Sequence, residues 1–357
     1  MSIGAGMNEI WILGATGRSG RAIAAELAGT GLSPVLVGRD TMRLRKVAAA
    51  LDRNLRIVTA GSVDVVVDEI RRSRPAVVIN TIGPFSETAL SIARACLPSV
   101  HYVDISNELF SVIALLGLHD AAASCGRTFV TGAGFGVLAT ESIVLKLCEG
   151  QPPAASVRVD AMATVEPEAG HMGTALAATI IDILAAGGRR YENGQLVRAR
   201  LLSDFESLTL PDGSCVETAT GPSGELEAAC CASGASCAVA ASSMVPASPM
   251  LRAVLPAVLP LLRITPFRNL AIRQVADIEL KPKQQDLAKA QARRREFSWG
   301  HRQLSGRPAC NNGTGQVGER DGTACYSQLR RLSLPGRDHQ PRRLALLPLS
   351  PKPAHGG

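Results

Sequence analysis

Aromatic residues are scarce in this chain: Phe, Trp and Tyr make up 3% of its 357 residues, whereas apolar residues together make up 46%. The core must therefore be built mainly from Ala, Val, Leu and Ile. The sequence also lacks an uninterrupted apolar run close to the ~20 residues that a membrane-spanning helix needs. The nearest stretch, 251–267, is broken by three prolines and two arginines. No integral membrane segment is predicted.

The nine cysteines are scattered along the chain. They form no pair of C-x-x-C clusters and no Cys/His set with zinc spacing, so no metal site is predicted. The N-terminus has no basic region followed by an apolar stretch, which is the pattern of a secretion signal. We expect reduced thiols and a cytoplasmic location. The adjacent Cys230 and Cys231 are expected to alternate across a strand.

The formal net charge of +7 comes from one end of the chain, and most of the chain has no net positive charge. Residues 293–357 hold 11 Arg and one Lys against four acids, a net charge of +8, so residues 1–292 carry a net charge of −1. The main part of the chain therefore has no electrostatic footprint for a polyanion, and no nucleic-acid partner is predicted.

Apolar periodicity disappears from about Arg293, and residues 301–357 are interpreted as an irregular basic tail. Two explanations stay open: a native disordered segment, and a shift of the reading frame just after His301. Reading the coding DNA downstream of His301 in the other two frames tests the second explanation. A frame that encodes helix or strand periodicity would support it.

The most informative stretch is residues 9–20, where the apolar run Ile10–Leu13 stops at a glycine and a helical pattern follows. Strand, glycine turn and helix in this order begin a dinucleotide-binding fold. The first glycine allows the turn, the second lets a pyrophosphate approach the backbone, and the third lets the helix pack on the strand. The alternative is a glycine-rich turn in another α/β domain. The predicted pyrophosphate-binding residues are Gly14, Ala15, Thr16, Gly17, Arg18, Ser19 and Gly20.

Short apolar runs alternate with helical patterns through residues 1–136. After the first strand, further strands are predicted at Pro34–Gly38, Leu55–Thr59, Ala76–Asn80, His101–Val103 and Thr128–Thr131. The helices between them are predicted at Asp40–Leu51, Ser62–Arg72, Ser86–Cys96 and Leu109–Ser124. Such alternation predicts an α/β fold, a doubly wound parallel Rossmann sheet. The glycine-rich segment 132–136 is expected to be the hinge into the next domain.

Residues 137–300 follow a different pattern, typical of a second, α+β domain. Strands are predicted at Val157–Val165, Leu196–Leu202, Ser214–Thr220 and Cys237–Ala241. Helices are predicted at Thr174–Ala186, ended by two glycines, and at Leu251–Arg263, interrupted by proline. We expect this domain to shape the substrate site and to cover the carboxyl edge of the first sheet, where ligands bind in such folds.

The end of the second strand, Gly38-Arg39-Asp40, decides the type of cofactor. An acidic residue there accepts the ribose hydroxyls of NAD, whereas an arginine meets the 2′-phosphate of NADP. Arg39 follows the strand directly and favours NADP over NAD, with Gly38 leaving room for the adenosine. Asp40 is interpreted as a cap of the next helix. The alternative is that Arg39 is only a solvated surface residue.

Other polar residues follow the fourth and fifth strands, whose ends line the nicotinamide side of the cleft. A purely structural turn is the alternative for each of them. Glu108 faces the cleft or is an ordinary first-turn helix residue. The predicted cofactor-binding residues here are Asn80, Thr81, Ile82, Gly83, Pro84 and Asp104.

Proton donors near the cleft are few, and the candidates are His171 and Tyr102. A surface or loop histidine is the alternative for His171. The sequence has no Tyr-x-x-x-Lys pair and no Gly-x-Ser-x-Gly elbow. Hydride transfer needs no protein nucleophile, because orientation by the fold does most of the work.

Four motifs occur in order: Gly14-Ala-Thr-Gly-Arg-Ser-Gly20, Val78-Ile-Asn-Thr-Ile-Gly-Pro-Phe85, His101-Tyr-Val-Asp104 and Gly132-Ala-Gly-Phe135. Together they resemble the saccharopine dehydrogenase-like reductases, a group that includes the trans-acting enoyl reductases. The resemblance covers residues 8–136 well and 137–300 loosely. It implies an oxidoreductase with an NAD(P)-binding Rossmann domain and a second domain that shapes the substrate site and often forms a homodimer. It also implies reduction of a C=C or C=O bond in a lipid-like or carrier-bound small molecule.

This chain departs from the family pattern at two places. Asn107-Glu108 stands where members usually have Gly-Glu, and the stretch 136–139 replaces a polar segment. Both departures weaken any transfer of substrate. The competing hypothesis, favoured by the lack of a clear proton donor, is a nucleotide-sensing or scaffold protein that binds NADP without turnover.

Overall fold

The computed structural model describes residues 8–51, 53–152, 154–161, 170–171, 173–209, 215–243 and 259–280. The chain divides into two compact units. Of the described residues, 170–171 and 279–280 belong to the second unit and all others to the first. The predicted tail, 301–357, lies outside the described residues, as does 251–258 of the predicted proline-interrupted helix.

A six-stranded parallel sheet forms the N-terminal part of the first unit. Its strands are β1 (Ile10–Leu13), β2 (Val35–Gly38), β3 (Ile57–Thr59), β4 (Val77–Asn80), β5 (His101–Asp104) and β6 (Phe129–Val130). Their order is β3-β2-β1-β4-β5-β6, with Trp11 of β1 opposite Val35 on one side and Val78 on the other. The order reverses between β1 and β4, so the predicted doubly wound Rossmann sheet is confirmed.

Helices cover both faces of this sheet. They are α1 (Arg18–Gly29), α2 (Thr41–Ala50), α3 (Val63–Ser73), α4 (Phe85–Cys96), α5 (Leu109–Leu116) and α6 (His119–Ser124). Trp11 and Leu13 pack with the α3–α4 layer, whereas Ile12 and Leu36 pack with α1 and α2. Side chains alternate across a strand, and both faces are apolar, so β1 reads as one continuous hydrophobic run.

One helix of the prediction is divided in the structure. The pattern over Leu109–Ser124 predicts a single helix, but α5 ends at Leu116 and α6 begins at His119. Gly117 is the C-cap of α5. Glycine is a poor helix former, so the chain breaks there although apolar residues continue on both sides.

A second sheet forms from residues after 155. Its strands are β7 (Ser156–Ala161), β9 (Arg189–Glu192), β10 (Gln195–Arg198), β11 (Glu206–Thr209), β12 (Cys215–Thr220) and β13 (Cys237–Ser242). The order is β10-β9-β13-β12-β11, and β7 pairs with β13 in parallel while the other pairs are antiparallel. The predicted strand at Leu196–Leu202 is shorter, because it ends at Arg198.

Four more α-helices lie among the described residues of the first unit. They are α7 (Phe135–Cys148), α8 (Thr174–Ala186), α9 (Gly224–Ser233) and α10 (Thr265–Ala276), with a 3₁₀-helix at Leu259–Arg263 before α10. The prediction for Cys230 and Cys231 is wrong: both lie in α9, which ends where Gly234 adopts a left-handed conformation. The glycine-rich segment after β6 leads directly into α7, with Gly134 as its N-cap.

The second sheet packs one face on helices of the same unit. Ala238 and Ala240 of β13 join Leu226 of α9 and Leu109 of α5 in one apolar cluster. A separate cluster joins α8 and α10 through Ile181 and other residues. In the second unit, the described residues form a two-stranded antiparallel pair of β8 (Gly170–His171) and β14 (Glu279–Leu280). No helix among the described residues combines the length and apolar character needed to cross a bilayer.

Candidate functional site

The turn after β1 is built by Gly14, which adopts φ +75°. Its N–H and that of Ala15 both donate to Val37 O, at 3.0 and 3.1 Å. A Cβ at Gly14 would lie 2.8 Å from Thr81 Oγ1. Positive φ and close contact both exclude a larger residue, so the chain turns sharply at the strand end.

Gly17 and Gly20 differ in what surrounds them. A Cβ at Gly20 would lie 2.4 Å from Gly14 O and 2.8 Å from Ala15 Cα, so α1 packs directly on the turn. Among the described residues that are not its chain neighbours, a Cβ at Gly17 would meet only Gly14 O within 4 Å, at 3.2 Å. Gly17 is also exposed and N-caps α1. The backbone is therefore open on the side facing away from the sheet.

The N-terminus of α1 points to this open side. The first backbone N–H groups of a helix have no carbonyl of that helix to bind and carry partial positive charge. Arg21 donates from its guanidinium to Thr16 O at 2.8 Å and holds the turn in place. Arg18 and Ser19 are exposed beside it. This arrangement is suited to an anionic group.

At the end of β2, Arg39 is exposed and Asp40 is engaged elsewhere. Asp40 accepts from Arg43 N at 3.1 Å as the N-cap of α2, and its other oxygen lies 3.4 Å from Arg43 Nε. Within the described part of the chain, no carboxylate pairs with Arg39. The acid that follows the arginine is thus committed to the helix that it caps.

The turn after β4 is fixed by buried polar contacts. Asn80 is fully buried; its Nδ2 donates to Tyr102 Oη at 3.1 Å, and its Oδ1 accepts from Ile82 N at 3.0 Å. Thr81 Oγ1 donates to Leu13 O at 2.7 Å. These bonds tie the turn at 80–84, which contains Gly83 and Pro84, to β1 and β5.

Asp104 organises the ends of β5 and β6. It is fully buried and accepts from Tyr102 Oη at 3.0 Å, Ser106 N at 3.0 Å, Thr131 Oγ1 at 2.9 Å and Gly132 N at 3.0 Å. Burial raises the pKa of this carboxyl, and the four hydrogen bonds lower it in part. The side chain acts on the protein itself in this structure, as a tie between two strand ends.

The two predicted proton donors lie in different units of the chain. Tyr102 has no exposed surface, and its hydroxyl donates to Asp104. Burial raises the pKa of Tyr102 well above its ordinary value, and the charge of Asp104 adds to this. His171 belongs to β8 of the second unit. The structure does not bring the two together in one unit, and both catalytic roles stay predictions.

Glu108 and Asn107 bond to distant helices, which their sequence pattern does not indicate. Glu108 is 5% exposed and precedes α5, yet its carboxylate lies at the N-terminus of α4, where Phe85 N donates to it at 3.0 Å. Asn107 accepts from Gly224 N at 2.9 Å and donates to Glu225 at 3.0 Å. In the sequence, Asn107-Glu108 shows only the pattern of polar residues at the start of a helix. Their hydrogen-bond partners lie far away along the chain, so local spacing does not reveal them.

No cluster of three or more His, Cys, Asp and Glu side chains suited to a metal ion occurs among the residues with described positions. Asn80, Asp104 and Glu108, at the carboxyl edge of the parallel sheet, are bonded within the protein. The first backbone amides of α1 and the exposed guanidinium of Arg39 are suited to an organic anion such as a diphosphate.

No protein-family profile matches the chain. Sequence relatives do exist. The chain is 30% identical over 146 residues to trans-acting enoyl reductases of Mycobacterium tuberculosis and Mycobacterium bovis, covering 39% of this chain and 35% of each relative. A putative trans-acting enoyl reductase of Mycobacterium tuberculosis is 31% identical over 134 residues, covering 36% of this chain and 32% of the relative. The chain thus matches about a third of their length, and the resemblance inferred from the motifs is confirmed.

Solved structures are similar only in part. Saccharopine dehydrogenase (L-Glu forming) of Saccharomyces cerevisiae superposes with a TM-score of 0.43 and 11% identity, covering 66% of this chain and 54% of that one. L-sorbose reductase of Gluconobacter frateurii, in complex with NADPH and L-sorbose, gives a TM-score of 0.31 and 16% identity over 42% of this chain and 78% of that one. The fold assignment rests on the strand order and not on these scores.

Proposed function

We propose that the chain is an NADP-dependent oxidoreductase that reduces a C=C or C=O bond of a lipid-like or carrier-bound substrate. The observation that carries the proposal is the turn at Gly14–Gly20, which lies where the strand order of the sheet reverses. Dinucleotides bind across this point in doubly wound sheets. Residues Ala15, Thr16, Arg18 and Ser19 of the same turn would surround the diphosphate.

The residues present fit such a cofactor. Gly17 leaves the backbone open, while Gly14 and Gly20 hold the strand and α1 close together beneath it. The helix N-terminus then meets the diphosphate with partial positive charge. When bound, the cofactor supplies a hydride; the residues of the chain orient it and the substrate.

Preference for NADP over NAD is supported by the pair Arg39 and Asp40. An exposed guanidinium beside the second strand is suited to bidentate pairing with a 2′-phosphate. The carboxylate that would accept ribose hydroxyls from NAD instead caps α2 and lies beside Arg43. The adenosine would lie beside Gly38, which ends β2. A Cβ at Gly38 would lie 3.3 Å from Leu44 Cδ2, so the missing side chain lets α2 pack close to the strand end.

The nicotinamide half would lie over the ends of β4 and β5, since the two halves of the sheet each bind one nucleotide. Asn80 links the end of β4 to β5, and Asp104 links the end of β5 to the segment after β6. Residues 81–84 would form the wall of the pocket. The hydroxyl of Tyr102 links Asn80 to Asp104. Tyr102 and His171 are the two proposed candidates for proton transfer.

The substrate class follows the names of the relatives, which are enoyl reductases, so a C=C bond conjugated to a carbonyl is the first choice. We propose that residues 1–136 bind the cofactor and that residues 137–300 shape the site for a small-molecule or carrier-bound substrate. A homodimer and a cytoplasmic location complete the proposal. Both six-stranded sheets belong to one compact unit, so the boundary at residue 136 separates two proposed roles within that unit.

The test is to follow NADPH oxidation by the full chain with enoyl thioesters and with keto thioesters of increasing acyl length. Oxidation with the enoyl series supports a C=C reductase, and oxidation with the keto series alone supports carbonyl reduction. Tight NADPH binding without any oxidation would instead favour a sensor or scaffold protein. Absence of NADPH binding would refute the proposed function.

A further inference from the structure

The carboxylate of Glu108 lies among three helices of the first unit. Oε1 accepts from Phe85 N at 3.0 Å and from Thr179 Oγ1 at 2.9 Å. Oε2 accepts from Ser86 N and, at 3.3 Å, from Ser111 Oγ. With 5% of its surface exposed, Glu108 uses both oxygens entirely within the protein.

The position of this carboxylate has a clear electrostatic cause. Phe85 and Ser86 are the first two residues of α4, so their N–H groups have no acceptor within the helix. The positive end of a helix stabilises an anion there, and hydrogen bonds to a charged acceptor are stronger than neutral ones. Glu108 therefore fills the anion-binding end of α4 from a segment that follows in the chain.

The same end of α4 continues the turn that follows β4. Thr88 Oγ1 donates to Ile82 O at 2.6 Å, and Pro84 is the N-cap of the helix. Whatever fixes the first turn of α4 also fixes residues 82–84. These residues are the predicted wall of the nicotinamide pocket.

On its other side the carboxylate reaches α8 through Thr179. A second bond joins the same helices, because Ser86 Oγ donates to Asp182 Oδ2 at 3.0 Å. Arg268 of α10 binds Asp182 at 2.8 Å and Glu87 at 3.1 Å. The start of α4 is thereby attached to the helices that follow β7, and Glu108 is the buried member of the set.

We propose that Glu108 is a positioning residue for the nicotinamide half of the cofactor, acting through the first turn of α4 and through Thr179. This role rests on the proposed function. By holding residues 82–84 and α8 at a fixed separation, Glu108 sets the width of the space in which the nicotinamide lies. It has no role in holding the adenosine half, which would bind at Gly14–Gly20 and Arg39.

The two halves of the cofactor provide the test. Adenosine 2′,5′-bisphosphate carries the adenine and the 2′-phosphate but no nicotinamide, whereas NADPH carries both. We would measure the Kd of each by calorimetry for the full chain and for its E108Q, T179V and T179S variants. T179V removes one hydroxyl from the carboxylate at nearly constant volume, and T179S restores that hydroxyl as the matched control.

We expect T179V to weaken NADPH binding by about three- to tenfold, the effect of one lost hydrogen bond, and E108Q to weaken it by about tenfold or more. The Kd of the bisphosphate should change less than about twofold in both, and T179S should bind NADPH as the unaltered chain does. T179V keeps the carboxylate and thus keeps the test decisive if E108Q does not fold.

Three results would overturn the role of Glu108. Equal weakening of both ligands would mean that the contacts only stabilise the fold, and unchanged NADPH affinity in T179V would mean that they set no pocket width. If the unaltered chain binds neither ligand, the proposed function fails first and the role of Glu108 with it.

Discussion

The glycine turn gives a sharp prediction because Gly17 and Gly20 differ so much in their surroundings. At Gly17, φ is −75° and ψ 168°, a conformation that every residue can adopt. In the described part of the chain, chain neighbours aside, an added Cβ would come close only to Gly14 O. We expect G17V to cost about 1 kcal/mol of folding free energy, the loss typical of a poorer N-cap. The fold should therefore persist.

The same substitution should remove most of the affinity for NADPH. An isopropyl group would stand where the diphosphate must approach the amides of α1. Losing hydrogen bonds to a charged group costs about 1.5–3 kcal/mol, which corresponds to about a ten- to hundredfold rise in Kd. Calorimetric titration of NADPH, beside urea unfolding of the same sample, measures both quantities.

The control is G20A, in which a single methyl group would meet Gly14 O at 2.4 Å and Ala15 Cα at 2.8 Å. Backbone atoms cannot move aside as a flexible side chain does, so we expect a loss of stability of about 1–3 kcal/mol. A folded G17V variant that binds NADPH as tightly as the unaltered chain would refute the reasoning. So would a G20A variant with undiminished stability.

Three further predictions follow from single side chains. R39A should weaken NADPH binding at least tenfold and leave NADH binding unchanged. R45A, which removes another exposed arginine, is the control and should change neither affinity. Equal effects of R39A on both nucleotides would contradict a contact with the 2′-phosphate. Burial raises the pKa of Glu141 from 4.5 to about 7, so its contribution to stability is complete below pH 4.5 and is lost as the pH rises through 7. Relative to E141Q, the unaltered chain should lose up to about 3 kcal/mol of unfolding free energy between pH 4.5 and 8, and parallel pH profiles would exclude this. Y102F should lower the unfolding free energy by about 1–3 kcal/mol, because Asp104 loses a buried hydrogen-bond donor. Denaturant unfolding measures this change. An unchanged midpoint would be inconsistent with a stabilising bond between Tyr102 and Asp104.

The parallel sheet was predictable because its signals are local. Each strand is a short apolar run that ends in a glycine or a polar residue, as β1 ends before Gly14 and β4 ends at Asn80. The helix α8 has the predicted bounds, Thr174–Ala186, because Gly187 follows with φ +70°. A glycine in this conformation stops a helix wherever the helix packs.

The helix α9 was missed for the opposite reason. Eight of its residues are buried, including Glu225 and Glu227, so it shows no alternation between a polar and an apolar face. Hydrophobic periodicity identifies helices with one solvent-exposed face and fails for a helix that is buried on all sides. The adjacent Cys230 and Cys231 consequently suggested a strand.

The roles of Glu108 and Asn107 were out of reach for a different reason. The hydroxyl that binds Glu108 comes from a residue 71 positions away, and the amide that binds Asn107 from one 117 positions away. Local spacing carries no information about such partners. The approach of α4, α8 and α9 to the β5–α5 connection gives these side chains their bonds to distant residues.

That connection, Asp104 to Glu108, has a consequence for sequence change over time. Asp104 anchors the exit of β6, Asn107 anchors α9, and Glu108 anchors α4 and α8. Inserting or deleting even one residue would rotate at least one of these anchors away from its partner. Homologous chains should therefore keep the length of this stretch constant and accept extra residues at open hairpins, such as the one at Asn193–Gly194.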